Sequence, residues 1–141
     1  MVEELKLIPL CEVTIQVGDP QLVGPTPTGN MMIGEIQSAN WEGERFRARL
    51  RGSAAADWLT FAPDGTGYPD VRMTLETHDG ALVYVSYTGR FVAETSTAYT
   101  TPSFRTGDER YAWLNSVQCV AKGSFDAESG RVHYPMVFEI R

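Results

Sequence analysis

Three groups of residues carry types and spacings that could do chemistry. In the first, Asp70, Arg72, Thr74, Glu76 and His78 alternate with Val71, Met73, Leu75 and Thr77. In an extended strand, side chains two positions apart share a face about 6–7 Å from one another. Asp70 and Arg72 can then pair. If that face turns inward, the pair together with His78 could bind an oxyanion or carry a proton. If it turns outward, these are ordinary solvated strand charges. The second group is Asp57-Trp58, either a pocket mouth with the indole as an apolar wall or a turn cap beside a core Trp. The third is Tyr111, Trp113 and Asn115, expected on one strand face. Core packing explains the aromatics but not the amide, which needs partners if buried. Thr101 and Arg105, close in sequence, would add a hydroxyl and a cation. The resulting expectation is Asp70 or Asp57 as acid/base, Arg72 stabilising developing negative charge, and Tyr111 and Asn115 orienting a substrate.

Other chemistries are disfavoured. The two histidines, His78 and His133, have no neighbouring ligand cluster, so no zinc or iron site is expected. No phosphate loop, dinucleotide fingerprint or nucleophile elbow is present, so no cofactor is expected. A formal charge of -6 suits a phosphate backbone poorly, which argues against nucleic acid. Apolar runs fall far short of the roughly 20 residues that cross a bilayer. The start, Met1-Val2-Glu3-Glu4, opens with acid rather than base, so no membrane partner and a cytoplasmic address are expected. Cys11 and Cys119 sit in apolar, strand-like contexts and are read as reduced core residues.

The elements that must position these groups are strands. Cys11, Val13, Ile15 and Val17 alternate with Glu12, Thr14 and Gln16, a half-buried strand. Further strands are expected over 31–41, 46–51, 57–62, 70–78, 81–91, 111–122 and 132–140, with a short one near Pro102 and Phe104. Asp79-Gly80 suits a tight hairpin turn whose residues need positive φ. Two prolines and two glycines in 24–29 predict a rigid loop, and 53–58 allows at most one helical turn. Arg45, Arg47, Arg49 and Arg51 share a register, either a solvated outer face or a surface for an acidic partner in an oligomer. One domain spanning 1–141 follows. Its class is all-β: a single antiparallel up-and-down β-barrel of about 8–10 strands, whose closure removes sheet edges. Such a barrel is just wide enough inside for side chains or one small ligand.

Several words also occur in a family's order. They are Val23-Gly24-Pro25-Thr26-Pro27-Thr28-Gly29, Trp41-Glu42-Gly43, Ala56-Asp57-Trp58, Asp70-Val71-Arg72, Thr77-His78-Asp79-Gly80-Ala81, Thr100-Thr101-Pro102-Ser103-Phe104 and Tyr111-Ala112-Trp113-Leu114-Asn115. With these the chain, from about Leu10 onward, resembles the family known as domain of unknown function 3237. The chain departs from the family pattern at Asn30-Met31-Met32, Ser38-Ala39, Ala54-Ala55 and Tyr99, which puts in doubt a polar site built on the family's basic residues. The resemblance implies a barrel similar in shape to lipocalins and allene oxide cyclases, often self-associating, and brings no established reaction. The expected function is a small-molecule-binding barrel, with cofactor-independent isomerase, cyclase or lyase activity on a small organic metabolite. The alternative is a binding or assembly module without turnover. A homodimer or higher homo-oligomer is expected in either case.

Overall fold

The computed structural model describes residues 3–141; Met1 and Val2, at the head of the acidic opening segment, lie outside the described residues. The strands are β1 (Leu7–Val17), β2 (Gln21–Thr26), β3 (Gly29–Glu42), β4 (Arg47–Leu50), β5 (Ala56–Phe61) and β6 (Thr66–Tyr68). They continue as β7 (Asp70–Thr77), β8 (Leu82–Val92), β9 (Thr97–Thr100), β10 (Ser103–Arg105), β11 (Cys119–Asp126) and β12 (Arg131–Ile140). All pairings are antiparallel, and β1 joins β12 on one edge and β3 on the other. The sheet therefore closes on itself as an antiparallel β-barrel.

Twelve segments arise where the sequence suggested about nine; the added ones are β2, β6 and β9. β4 and β5 lie along the same edge of β3, against residues 40–42 and 30–35 respectively. β9 and β10 likewise share one edge of β8. The β7–β8 hairpin forms as the alternation predicts, with Gly80 at φ +91°. Its apolar set turns inward: Val71, Met73, Leu75 and Thr77 are buried while Asp70, Arg72 and His78 are exposed.

Two expectations are corrected. Residues 24–29 are not simply a loop: Pro25 lies in β2, which pairs with β3. Proline is tolerated on an edge strand because its missing N–H costs no ladder bond there. The stretch 111–116 is not a strand but part of a 3-10 helix, Glu109–Ser116. Tyr111, Ala112, Trp113 and Leu114 are apolar in both registers, so period two carries no face information. Asp108 instead caps the helix, accepting from the Arg110 N–H at 2.9 Å as N-cap carboxylates do. Tyr111 and Leu114, three apart, then fall on one side of the helix and are buried, as three residues per turn requires.

That helix stops one end of the barrel. Below it Phe46 meets Phe104 and Tyr111 edge to face, at centroid distances of 5.5 and 6.3 Å, and Trp41 meets Phe104 at 5.9 Å. Cys11 and Cys119 are buried free thiols nearby in the core, and burial pushes both pKa values up. Thiols held protonated in this way are poor nucleophiles. Among the described residues, no helix is long and apolar enough to cross a membrane.

Candidate functional site

The other end of the barrel is hollow. A cavity of about 370 Å³ is lined by Ile15 and Val17 of β1, Ile36 of β3, Leu59 and Phe61 of β5, and Phe91 of β8, among others. Gly34 and Ala98 keep two of the lining positions small, and the place beside Gly34 is taken by Val17, whose Cγ1 stands 2.8 Å from where a Cβ would lie. Among the described residues that line it, Asp57 alone is charged. Strand alternation from β5 aims its carboxylate inward with Leu59 and Phe61. Its Oδ1 accepts the Asp70 N–H at 3.0 Å. Burial pushes the Asp57 pKa up to about 6, opposed by that hydrogen bond and reinforced by the Asp70 charge. An acid of that strength near neutrality can both give and take a proton.

Two tyrosines complete the polar side of the cavity. Tyr87 of β8 and Tyr134 of β12 line it with rings edge to face at 6.1 Å. Both are less than a tenth exposed, and burial raises both phenol pKa values. Each therefore stays protonated and able to donate. Tyr134 can lie flat against β11 because residue 123 is glycine: a Cβ there would stand 2.5 Å from Tyr134 Cδ1. Thr100, also buried, holds its Oγ1 without a hydrogen-bond partner.

The profile of the family described as protein of unknown function DUF3237 matches residues 5–139. The chain belongs to that family. No curated protein matches it. Among solved structures, the DUF3237 barrel is similar to a β-barrel-like protein of Acinetobacter baumannii, at 26% identity and a TM-score of 0.84 over 100% of this chain and 99% of that one. It is also similar to a conserved protein of unknown function from Rhodopseudomonas palustris, at 23% identity and a TM-score of 0.88 over 99% and 100%. A third likeness is to a protein of Penicillium herquei described as an enzyme, at 21% identity and a TM-score of 0.77 over 100% and 98%.

Of the residues singled out in the sequence of this DUF3237 member, only Asp57 lines the cavity. Asp70 reaches the site through its backbone N–H, with its side chain outside. Arg72 also points outward, its guanidinium 4.3 Å from the Trp58 ring centre. Trp58 is therefore not the wall of a pocket mouth beside Asp57, since adjacent residues of a strand face opposite ways. His78 is exposed past the end of β7, its N–H bonded to Arg47 O at 3.0 Å.

The third group is likewise dispersed. Tyr111 belongs to the stopper, donating to Asp79 Oδ1 at 2.7 Å. Trp113 is half-buried against the core, with Arg45 over its ring at 5.0 Å. Asn115 finds its amide partners on Thr106, accepting from N–H at 2.8 Å and donating to O at 3.0 Å. Thr101 and Arg105 are exposed, the latter over Tyr84 at 4.9 Å. A wider surface hollow of about 590 Å³ beside Trp113 holds Glu139, whose carboxylate is already matched by Arg45 at 2.9 Å and Arg141 at 3.1 Å. Arg47, Arg49 and Arg51 lie on the solvated outer face, with Arg51 paired to Glu76 at 2.8 Å. No group of three His, Cys, Asp or Glu among the described residues could hold a metal.

Sequence reasoning missed Tyr87 and Tyr134. The signal was present in part: Tyr87 continues the inward row of Val83 and Val85, where a phenol interrupts aliphatic residues.

Proposed function

We propose that this protein binds a small, largely apolar organic molecule in the open half of its barrel and exchanges a proton with it through Asp57. The reaction class is a cofactor-independent isomerisation, cyclisation or lyase step. The observation that carries this reading is a single carboxyl, its pKa raised to about 6 by burial, set in an otherwise uncharged cavity. Carboxyls serve as acid or base near neutral pH when desolvation lifts them toward it. The Penicillium herquei protein described as an enzyme has a similar fold, which is compatible with catalysis in such a barrel. A cytoplasmic address accords with two free buried thiols, which a reducing compartment preserves.

The test is proton–deuterium exchange, followed by NMR, at the α-carbons of a panel of one- and two-ring ketones in deuterated water. We expect exchange with the wild-type protein, at least a hundredfold loss in Asp57→Asn, and loss of ligand-induced thermal stabilisation in the cavity-filling variant Ala98→Phe. Exchange at the wild-type rate in Asp57→Asn would overturn the acid/base role. Unchanged ligand binding in Ala98→Phe would overturn the cavity as the site.

Self-association is a second proposal, favoured by Leu22 and Val23, which are 74% and 54% exposed on the edge strand β2. Light scattering of the wild type and Leu22→Lys would decide it: a monomer in both removes this reading.

A further inference from the structure

We propose that the buried phenol pair of Tyr87 and Tyr134 donates the hydrogen bond that holds a carbonyl oxygen in the cavity, so that the substrate is an uncharged, enolisable carbonyl compound. This rests on the acid/base reading of Asp57 and assigns the other half of the same site.

Among the described lining residues no Lys, Arg or His is present, and the one charge is negative. A phosphorylated or carboxylated substrate would place its anion beside a buried carboxylate with no counter-charge, an arrangement that costs desolvation without pairing. An uncharged molecule avoids both penalties. Its polar atom then needs a partner, because a carbonyl taken from water into an apolar cavity loses its hydrogen bonds.

The partners available on the cavity wall are the two phenols. Tyr87 and Tyr134 approach edge to face at 6.1 Å from facing strands. Burial keeps both phenols protonated, so each has a proton to give to an oxygen bound in the cavity.

The step balances with these groups alone. The Asp57 carboxylate takes a proton from the carbon next to the carbonyl. The C–H electron pair becomes a C=C bond, and the carbonyl π pair moves onto oxygen, where an O–H of the Tyr87–Tyr134 pair stabilises the developing negative charge. The protonated Asp57 then returns its proton to another carbon of the same conjugated system, and the electron pairs shift back. No oxidant, reductant or leaving group is needed. Carboxylate and phenol divide this work in a way that suits an apolar site, where hydrogen bonds to developing charge count most.

The experiment uses 4-nitrophenol as a mimic of the enolate and naphthalene as a probe of the cavity alone. Both are titrated into Asp57→Asn, which imitates the protonated base, and into Asp57→Asn with Tyr134→Phe or Tyr87→Phe. We expect 4-nitrophenol to bind Asp57→Asn with an enhanced phenolate absorption band. Tyr134→Phe and Tyr87→Phe should each weaken that binding, at least one of them about tenfold or more with loss of the band shift. Naphthalene should bind all three alike, which also shows that the phenylalanine variants are folded. Equal 4-nitrophenol binding and equal spectra in Asp57→Asn and in both phenylalanine variants, while naphthalene still binds, would overturn the role of the phenol pair and leave Asp57 standing. Failure of naphthalene to bind the wild type would remove the cavity reading, and this inference with it.

Discussion

At the stoppered end of the barrel, Leu114 and Phe104 are 0% and 2% exposed and pack among Trp41, Phe46 and Tyr111. At the other end, the same strands β1, β3, β8 and β12 continue with the same alternation but enclose about 370 Å³. Polarity does not separate the two halves, since both inner surfaces are mostly apolar. Volume does. Large rings and the 3-10 helix fill one end; Gly34 and Ala98 stand at inward positions of the other. One alternating pattern thus builds a core and a chamber from the same ladders. The chamber is where three polar side chains, Asp57, Tyr87 and Tyr134, face inward.

If this contrast is right, truncation should be expensive at one end and cheap at the other. Phe104→Ala should lose about 3–5 kcal/mol of stability in urea titration, the range for emptying a close-packed aromatic site. Phe91→Ala, on the cavity wall, should lose less than about 2 kcal/mol, because part of its surface already faces empty space. Comparable losses at both positions would mean that the chamber is closed up in solution.

The next effect separates the ends by pH. Asp57 titrates near 3.8 when unfolded and near 6 when folded. Between those values the unfolded chain ionises this carboxyl first, so its contribution to stability falls as pH rises from about 4 to 6 and is level above. Asp57→Asn removes that decline. With allowance for the openness of the cavity, the variant should be more stable than wild type at pH 7 by on the order of 1–2 kcal/mol. The difference should vanish below pH 4. A gap that stays the same from pH 3 to pH 7 would show that the carboxyl is solvated like any surface aspartate.

Much of the fold was legible because β-structure writes its faces into the sequence. Alternation at 70–78 and the Asp79-Gly80 turn give the β7–β8 hairpin and the inward turn of Val71, Met73 and Leu75. The same alternation also argues against the inward reading of Asp70 and Arg72, since burying the apolar set sends the charged set outside. Asp57 was legible as a carboxyl at a strand start. Its cavity was not, because the lining comes from strands that meet only when the sheet closes. Tyr134 reaches Tyr87 across the interior, and no spacing along the chain encodes that distance. Asn115 was legible as an amide needing partners, but these lie on Thr106. A helix that replaces a strand changes which side chains are neighbours.

The smallest effect tests whether the outer face is as inert as the contrast requires. Arg72 sits over Trp58 at 4.3 Å, and both face away from the cavity. An exposed cation over an aromatic ring contributes about 0.5–1 kcal/mol, part of it from the aliphatic stem. Arg72→Met keeps the stem and removes the charge, so the loss should be about 0.5 kcal/mol by urea titration. Naphthalene affinity should be unchanged, because the substituted atoms lie across the β-sheet from the chamber. A threefold or larger change in that affinity would mean that packing on Trp58 sets the tilt of β5, and with it the position of the Asp57 carboxylate on the opposite face. Outer and inner surfaces would then be coupled through one strand, and the site would include its own exterior wall.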